Sequence, residues 1–152
     1  MELDEADLKI LRAVQDRPGL TTRELAEEVG LSHTPVWRRL QRMEEEGVVS
    51  APLRLVDPEG AGFDISAFCF VALKEHRREI LREFEAAVRL EPRILQCHSL
   101  TGEHDYMLHV LARSVRDYER TVKDALTALP HVRAINTSFS LRRVKANAKV
   151  PV

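Results

Sequence analysis

The chain has 152 residues, of which 44% are hydrophobic and 31% charged, proportions typical of one folded domain or of two small ones. No apolar run approaches the ~18 residues of a membrane-spanning helix, so we expect no membrane partner. The acidic first residues predict no signal peptide, and Cys69 and Cys97, in apolar surroundings, predict reduced thiols. These features together predict a cytoplasmic protein.

Two short helices are predicted near the start of the chain. Asp4 and Asp7 begin the first helix, and Pro18-Gly19 ends it. Its apolar stripe consists of Leu8, Leu11 and Val14. The second helix begins at a capping box formed by Thr21 and Glu24, in which each side chain satisfies a backbone N–H of the other residue.

A third helix follows a tight turn. Gly30 suits the left-handed conformation that closes a helix, and Ser32 or Thr34 can cap the next one, which covers residues 32–42. Its apolar residues Val36, Leu40 and Met43 share one side. Two helices joined by a short glycine-containing turn form a helix-turn-helix unit.

The opposite face of the third helix carries groups that can read DNA. At about 100° per residue, two arginines, an amide and a hydroxyl point away from the apolar stripe. Arginine can clamp a guanine edge or a phosphate, and glutamine can pair with adenine. We therefore predict that residues 1–50 bind double-stranded DNA. The predicted DNA-binding residues are Ser32, His33, Thr34, Trp37, Arg38, Gln41 and Arg42.

The charge of this region is unusual for a DNA-binding unit. Residues 1–50 contain seven Lys or Arg residues and eleven Asp or Glu residues, a net charge of −4. Neutralisation of phosphates supplies most non-specific affinity, so one copy should bind DNA weakly. We infer that useful binding needs two or more copies of the chain on one DNA.

The second half of the chain has the rhythm of an α+β domain. Residues 51–60 are predicted to form a linker, with a short strand at Leu53–Val56 bounded by proline and glycine. The predicted elements that follow are a strand at 68–73, a helix at 77–90, strands at 94–100 and 105–111, a helix that begins near Ser114, and a strand at 131–141. This βαββαβ order predicts a ferredoxin-like domain over residues 61–152, joined to a helix-turn-helix domain with or without a wing.

An ordered set of short motifs runs along nearly the whole chain. They are Leu3-Asp4, Ile10-Leu11, Glu24-Leu25-Ala26, Val29-Gly30-Leu31-Ser32, Thr34-Pro35-Val36, Arg38-Arg39-Leu40, Glu46-Gly47-Val48, Cys97-His98, Thr101-Gly102, Asp105-Tyr106 and Leu129-Pro130. In this set the chain resembles the leucine-responsive regulator/asparagine regulator (Lrp/AsnC) family of transcription factors. The resemblance implies a regulator whose second domain binds a small effector, usually an amino acid, and assembles homodimers into tetramers or octamers.

The turn at residues 101–106 is the candidate effector site. Exposed N–H groups near Gly102 could hold a carboxylate, and Asp105 or Glu103 could hold an ammonium group, but a plain hairpin turn has the same composition. The resemblance places the effector pocket at this turn, between subunits, with part of the last strand nearby. The candidate residues are Thr101, Gly102, Glu103, His104, Asp105, Tyr106, Thr137 and Ser138.

Other chemistry has less support in the sequence. His98, His104, His109 and Cys97 lack the spacing of metal ligands, so we predict no metal, no cofactor and no catalytic residue. Some proteins that resemble the family are sirohaem decarboxylases, and an enzyme of that kind is the alternative. The basic face of the third helix favours the regulator.

Overall fold

The computed structural model describes residues 2–146 and 149–152, which divide into two compact units. Unit 1 contains the residues up to Leu55 together with Lys145, Ala146 and residues 149–152, and unit 2 runs from Val56 to Val144. The end of the chain therefore belongs with the helical unit, whereas the sequence analysis expected it in the second domain.

Unit 1 consists of three helices: α1 (Glu5–Asp16), α2 (Thr22–Val29) and α3 (His33–Glu45). Capping boxes at Asp4 with Asp7 and at Thr21 with Glu24 begin the first two helices. Gly30 ends α2 with φ of 68°, in the left-handed region. These local features of the helix-turn-helix prediction are confirmed.

The core of unit 1 lies where the apolar stripes of the three helices meet. Val36 and Met43 on α3 are fully buried, and Leu40 is half-buried beside them. Ile10 from α1 and Leu25 from α2 complete the centre of the cluster. The stripe expected on α3 therefore faces the core and leaves the opposite side of the helix to solvent.

The last residues of the chain bind to helix α1. Gln15 exchanges two hydrogen bonds with the backbone of Val150, and the Arg12 Nε donates to the Val152 carbonyl at 2.8 Å. The Lys149 ammonium group lies 2.6 Å from the Asp16 carboxylate. No local pattern in the sequence predicted this attachment.

The predicted strand at Leu53–Val56 is wrong, because residues 50–57 contain no regular structure. The side chains of Leu53, Leu55 and Val56 are about three-quarters exposed. A strand needs a hydrogen-bonding neighbour, and this segment has none in the part of the chain that the structure describes. The same residues form no wing strand after α3.

Unit 2 is a four-stranded antiparallel sheet with helices on one face. Its elements are β1 (Ile65–Leu73), α4 (Arg78–Leu90), β2 (Ile94–Ser99), β3 (Tyr106–Ala112), α5 (Val115–Asp117), a π-helical turn (Tyr118–Val122), α6 (Lys123–Thr127) and β4 (Val132–Phe139). The strand order is β2-β3-β1-β4, so the predicted βαββαβ arrangement is confirmed.

The two faces of this sheet differ. The helix-covered face contains the core, with Cys69, Leu108 and Phe84 fully buried. On the other face, which we call the open face, Phe68 and Phe70 of β1 are half-buried. No helix among the described residues is long and apolar enough to cross a membrane.

Candidate DNA interface and effector site

The predicted DNA-binding residues all lie on the solvent side of helix α3 or at its start. All seven are exposed, and Trp37 has about half of its surface in solvent. Ser32 is the N-cap of α3, and its side chain makes no capping hydrogen bond, so its hydroxyl can reach a ligand. The first turn of α3 contains no acidic residue. These features leave a polar surface that an anion can approach.

Three of the four polar side chains predicted to read DNA differ in their partners. Gln41 donates a hydrogen bond of 3.0 Å to the Glu45 carboxylate on the same helix. The Arg42 guanidinium lies 2.8 Å from a carboxylate oxygen of Asp7, on helix α1. Arg38 makes no ion pair with an acid among the described residues. Arg38 is therefore the cation of α3 that is most available to DNA.

Asp7 is a buried acid that the sequence analysis assigned only to a helix start. Its side chain is 1% exposed and binds both Arg39 and Arg42. The hydrogen bond to Asp7, with a second to Asp4, raises the pKa of Arg39 above its ordinary value. The Asp7 N–H, followed by Arg39, lowers the pKa of Asp4. The sequence contained only one indication of these ion pairs, namely an aspartate three residues into the first helix and arginines on the third helix.

The candidate effector turn connects β2 to β3. Gly102 has φ of 111°, which other residues rarely adopt, and no atom beyond its two chain neighbours lies within 4 Å of the position that a Cβ would occupy. Thr101, Gly102 and Glu103 are exposed. The turn therefore presents its backbone and the Glu103 carboxylate to open space.

Asp105 uses both carboxylate oxygens to bind the protein itself. One oxygen accepts from the Leu73 N–H at 2.7 Å, and the other lies 2.7 Å from the His76 imidazole. Burial acts to raise the pKa of Asp105, but the bonds from Leu73 and His76 outweigh it, so the pKa lies below its ordinary value. Asp105 was predicted as a possible partner for an ammonium group, but this geometry favours a role in fixing the turn.

Tyr106 belongs to the hydrophobic core and does not line the turn. Its ring packs 4.7 Å from the Phe84 ring, and its hydroxyl donates to the Glu85 carboxylate at 2.9 Å. Burial, followed by the bond to Glu85, raises the pKa of Tyr106 to about 12. Tyr106 therefore anchors the first residue of β3 against helix α4.

His104 connects the turn to the far edge of the sheet. Its ring lies 5.5 Å from the Phe70 ring on β1, and its Nε2 accepts from the Asn136 amide of β4 at 3.2 Å. Phe70 and Asn136 are paired neighbours across the two strands. They are candidate site residues that sequence analysis missed, because their proximity to the turn depends on the order of the strands.

The last two predicted effector residues point to opposite faces of β4. Thr137 faces the helices, where its hydroxyl lies 2.6 Å from the Tyr118 hydroxyl beside a cavity of about 460 Å³. Ser138 is paired with Phe68 and so shares the open face. The structure therefore groups Ser138 with the His104 side of the sheet and separates Thr137 from it.

The histidines that were considered as metal ligands have other surroundings. His109 stacks on Phe68 with 4.8 Å between ring centroids, and its Nε2 lies 2.7 Å from the Ser66 hydroxyl. Burial, followed by the charge of Arg143, lowers the pKa of His109. Within the described residues, no three His, Cys, Asp or Glu side chains are close enough together to hold one metal ion.

Comparison with known protein families accounts for both units. Residues 3–50 match the winged helix-turn-helix DNA-binding model, and residues 66–150 match the Lrp/AsnC ligand binding domain. The chain belongs to the Lrp/AsnC family of transcriptional regulators. This membership confirms the resemblance that was predicted from the sequence motifs. It also confirms the two predicted kinds of partner, because the first domain is of a DNA-binding type and the second of a ligand-binding type.

Individual Lrp/AsnC proteins are similar along their full length. The Bkd operon transcriptional regulator of Pseudomonas aeruginosa is 36% identical over 99% of both chains, and the leucine-responsive regulatory protein of Rhizobium meliloti is 35% identical over 100% of this chain and 97% of its own. A transcriptional regulator of Neisseria meningitidis, solved as a complex with L-Met, is 34% identical with a TM-score of 0.90, covering 99% of this chain and 97% of its own.

We predict that Asp105→Asn destabilises the protein by about 1–3 kcal/mol at neutral pH, because a charge-assisted bond to a partly buried N–H is weakened. A carboxyl group with a lowered folded-state pKa stabilises the fold above its unfolded pKa of about 3.9 and loses that effect as the pH falls through the folded pKa. The difference from wild type should therefore shrink below about pH 4.

Urea unfolding of wild type and Asp105→Asn over a series of pH values measures this difference. Glu103→Gln is the matched control, because Glu103 lies exposed in the same turn. A difference in the free energy of unfolding that stays constant through the acidic range would contradict the assigned role of Asp105.

Proposed function

We propose that this protein is a cytoplasmic, sequence-specific DNA-binding regulator of transcription that responds to an amino acid and is not an enzyme. The observation that carries the proposal is the exposed polar face of helix α3 on a chain that also contains the Lrp/AsnC ligand binding domain. The relatives named above are regulators, which supports a regulator over the sirohaem-decarboxylase alternative.

Helix α3 is the recognition helix in this proposal. Its N-terminal residues, including Thr34, contact base edges in the major groove while Arg38 reads a base or holds a phosphate. Gln41 and Arg42 extend the same face by one turn. Trp37, half exposed next to this face, borders the duplex.

A homodimer, assembling to a tetramer or octamer, is the proposed DNA-binding form. The net charge of −4 in residues 1–50 makes one copy a weak DNA ligand. The exposed apolar side chains of Leu53, Leu55 and Val56 offer material for an interface between copies. Two copies would place their recognition helices about one DNA turn apart, ~34 Å, or a multiple of it.

The proposed effector site lies at the 101–104 turn and the adjoining part of the open face. A backbone N–H near Gly102 would bind the amino-acid carboxylate, and Glu103 would bind its ammonium group. Phe70, His104 and Asn136 would contact the side chain. The L-Met complex of the Neisseria relative makes methionine the first amino acid to test.

We expect wild-type protein at micromolar concentration to be a dimer or larger in light scattering. Leu53→Asp should shift it to smaller species, because a charge would replace an apolar contact between copies. Leu90→Asp is the control, since Leu90 is equally exposed on α4 of unit 2. A monomeric wild-type protein would refute the proposed assembly.

Arg38→Ala should weaken binding to a selected operator by roughly 1–3 kcal/mol if Arg38 reads a base. Fluorescence anisotropy titrations measure the change. Arg82→Ala, which removes the same charge from an exposed site on α4, should leave the affinity unchanged. An equal loss of DNA affinity in the two variants would show that Arg38 does not contact the DNA.

A thermal-shift screen of the twenty amino acids identifies the effector, because a ligand at 100 times its dissociation constant stabilises the folded state by about 2.7 kcal/mol. We expect Glu103→Gln and Asn136→Ala to weaken binding of the effector more than tenfold, about 1.4 kcal/mol, in calorimetry. Asp105→Asn should change this affinity little. Unchanged affinity for the effector in Glu103→Gln and Asn136→Ala would show that the effector binds elsewhere than at this turn.

A further inference from the structure

Four charged side chains form a cluster between helices α1 and α3, which we call the acid–arginine cluster: Asp4, Asp7, Arg39 and Arg42. The Asp7 carboxylate accepts from Arg39 at 2.7 Å through Oδ1 and from Arg42 at 2.8 Å through Oδ2. Arg39 also donates to Asp4 at 2.7 Å. Two acids balance two guanidinium groups, so the cluster is neutral.

The two arginines of this cluster are not equivalent. Arg39 binds both acids, and its side chain is 30% exposed. Arg42 binds only Asp7 within the cluster, and its side chain is 45% exposed. Arg42 also lies four residues after Arg38 and so shares its side of the helix, whereas Arg39 is rotated by about 100°. Arg42 therefore stands between the cluster and the candidate DNA face.

Asp7 does not depend on Arg42 for all of its hydrogen bonds. A buried carboxylate that loses its only partner is strongly destabilising. Asp7 would keep the Arg39 guanidinium on Oδ1 and the Asp4 N–H, 3.2 Å away, on Oδ2. Arg42 can therefore leave without orphaning a buried charge. Loss of Arg39 would instead remove the cation that binds both acids and leave Asp4 with no arginine partner in the cluster.

We propose that Asp7 is an intramolecular counterion for Arg42, and that a DNA phosphate displaces it when helix α3 docks on a duplex. Arg42 then exchanges the Asp7 carboxylate for a phosphate oxygen, while Arg39 stays bound to Asp4 and Asp7 and keeps α3 fixed on α1. Asp7 is thus a positioning residue that acts through Arg42. The inference rests on the proposed DNA-binding function.

This exchange affects specificity. Departure of Arg42 leaves the cluster with a net charge of −1, next to the polyanionic duplex. DNA that places no phosphate within reach of Arg42 gains no ion pair with it, and the Asp4 and Asp7 carboxylates still repel its phosphates. Asp7 therefore disfavours loosely docked DNA more than DNA on which α3 is fully seated, and it lowers non-specific affinity.

The full chain should be titrated with two fluorescent duplexes, one selected by wild-type protein from a random library and one of unselected random sequence. The slope of log K against log [NaCl] changes by about 0.9 for each phosphate that the protein no longer neutralises. Arg42→Met should reduce the slope on the selected duplex by about that amount per bound copy. Arg39→Met, the matched control, should leave the slope unchanged while lowering the free energy of unfolding.

Asp7→Asn tests the counterion directly. It should raise affinity for the random duplex by about threefold, or roughly 0.6 kcal/mol per copy, as expected for one partly exposed ion pair. The gain should vanish in the double variant Asp7→Asn/Arg42→Met. A merely structural role of Asp7 would instead lower stability and affinity to the same extent whether or not Arg42 is present.

The outcomes separate the two hypotheses. An unchanged salt slope in Arg42→Met, or a gain from Asp7→Asn that persists without Arg42, overturns the exchange. Should circular dichroism show that Asp7→Asn is unfolded, the comparison of Arg42→Met with Arg39→Met decides alone. Wild-type protein that selects and binds neither duplex would refute the DNA-binding proposal itself.

Discussion

Strand β1 pairs with β3 along one edge and with β4 along the other, and this double pairing sets the layout of the ligand-binding unit. The register of β1 with β3 brings the 101–106 turn to the end of β1. There the Asp105 N–H donates to the Val71 carbonyl, and the Asp105 carboxylate accepts from the Leu73 N–H. The register of β1 with β4 places Asn136 beside Phe70. The candidate effector site therefore draws on β1, β4 and the turn at once.

Unit 1 is held by apolar and ionic contacts that have different consequences. The apolar contacts of Val36 and Met43 bury one side of α3, but apolar packing alone is non-directional. The ion pairs of Asp7 with Arg39 and Arg42 are directional, and they join α1 to the edge of the candidate DNA face. The rotation of α3 about its axis is thus set by charge as well as by packing.

The acidic character of residues 1–50 has a structural counterpart in these contacts. Asp4 and Asp7 engage Arg39 and Arg42, while Arg38 has no acidic partner among the described residues. Few cations are therefore free to attract DNA from a distance, which lowers affinity for arbitrary sequence. Such a surface suits a protein that gains affinity from several copies bound side by side.

The sequence by itself determined what depends on near neighbours. The helix start at Asp4 and Asp7, the capping box at Thr21 and Glu24, the left-handed Gly30 and the βαββαβ order were predicted, because caps, turns and hydrophobic periodicity arise within a few residues of one another. Local pattern also favoured a strand at Leu53–Val56. That strand is absent from the described fold, because β structure requires a partner and propensity does not supply one.

Only the tertiary structure decided which chemical groups meet across long stretches of chain. Arg42 reaches Asp7 from 35 positions away, His104 meets Asn136 from 32, and Val150 meets Gln15 from 135. From residue types alone, Arg42 was expected to be a free cation and Asp105 a free acid, but in the structure Arg42 pairs with Asp7 and Asp105 with His76. The physical reason is that an ion pair or hydrogen bond depends on distance in space, which chain separation does not encode once helices and strands have packed.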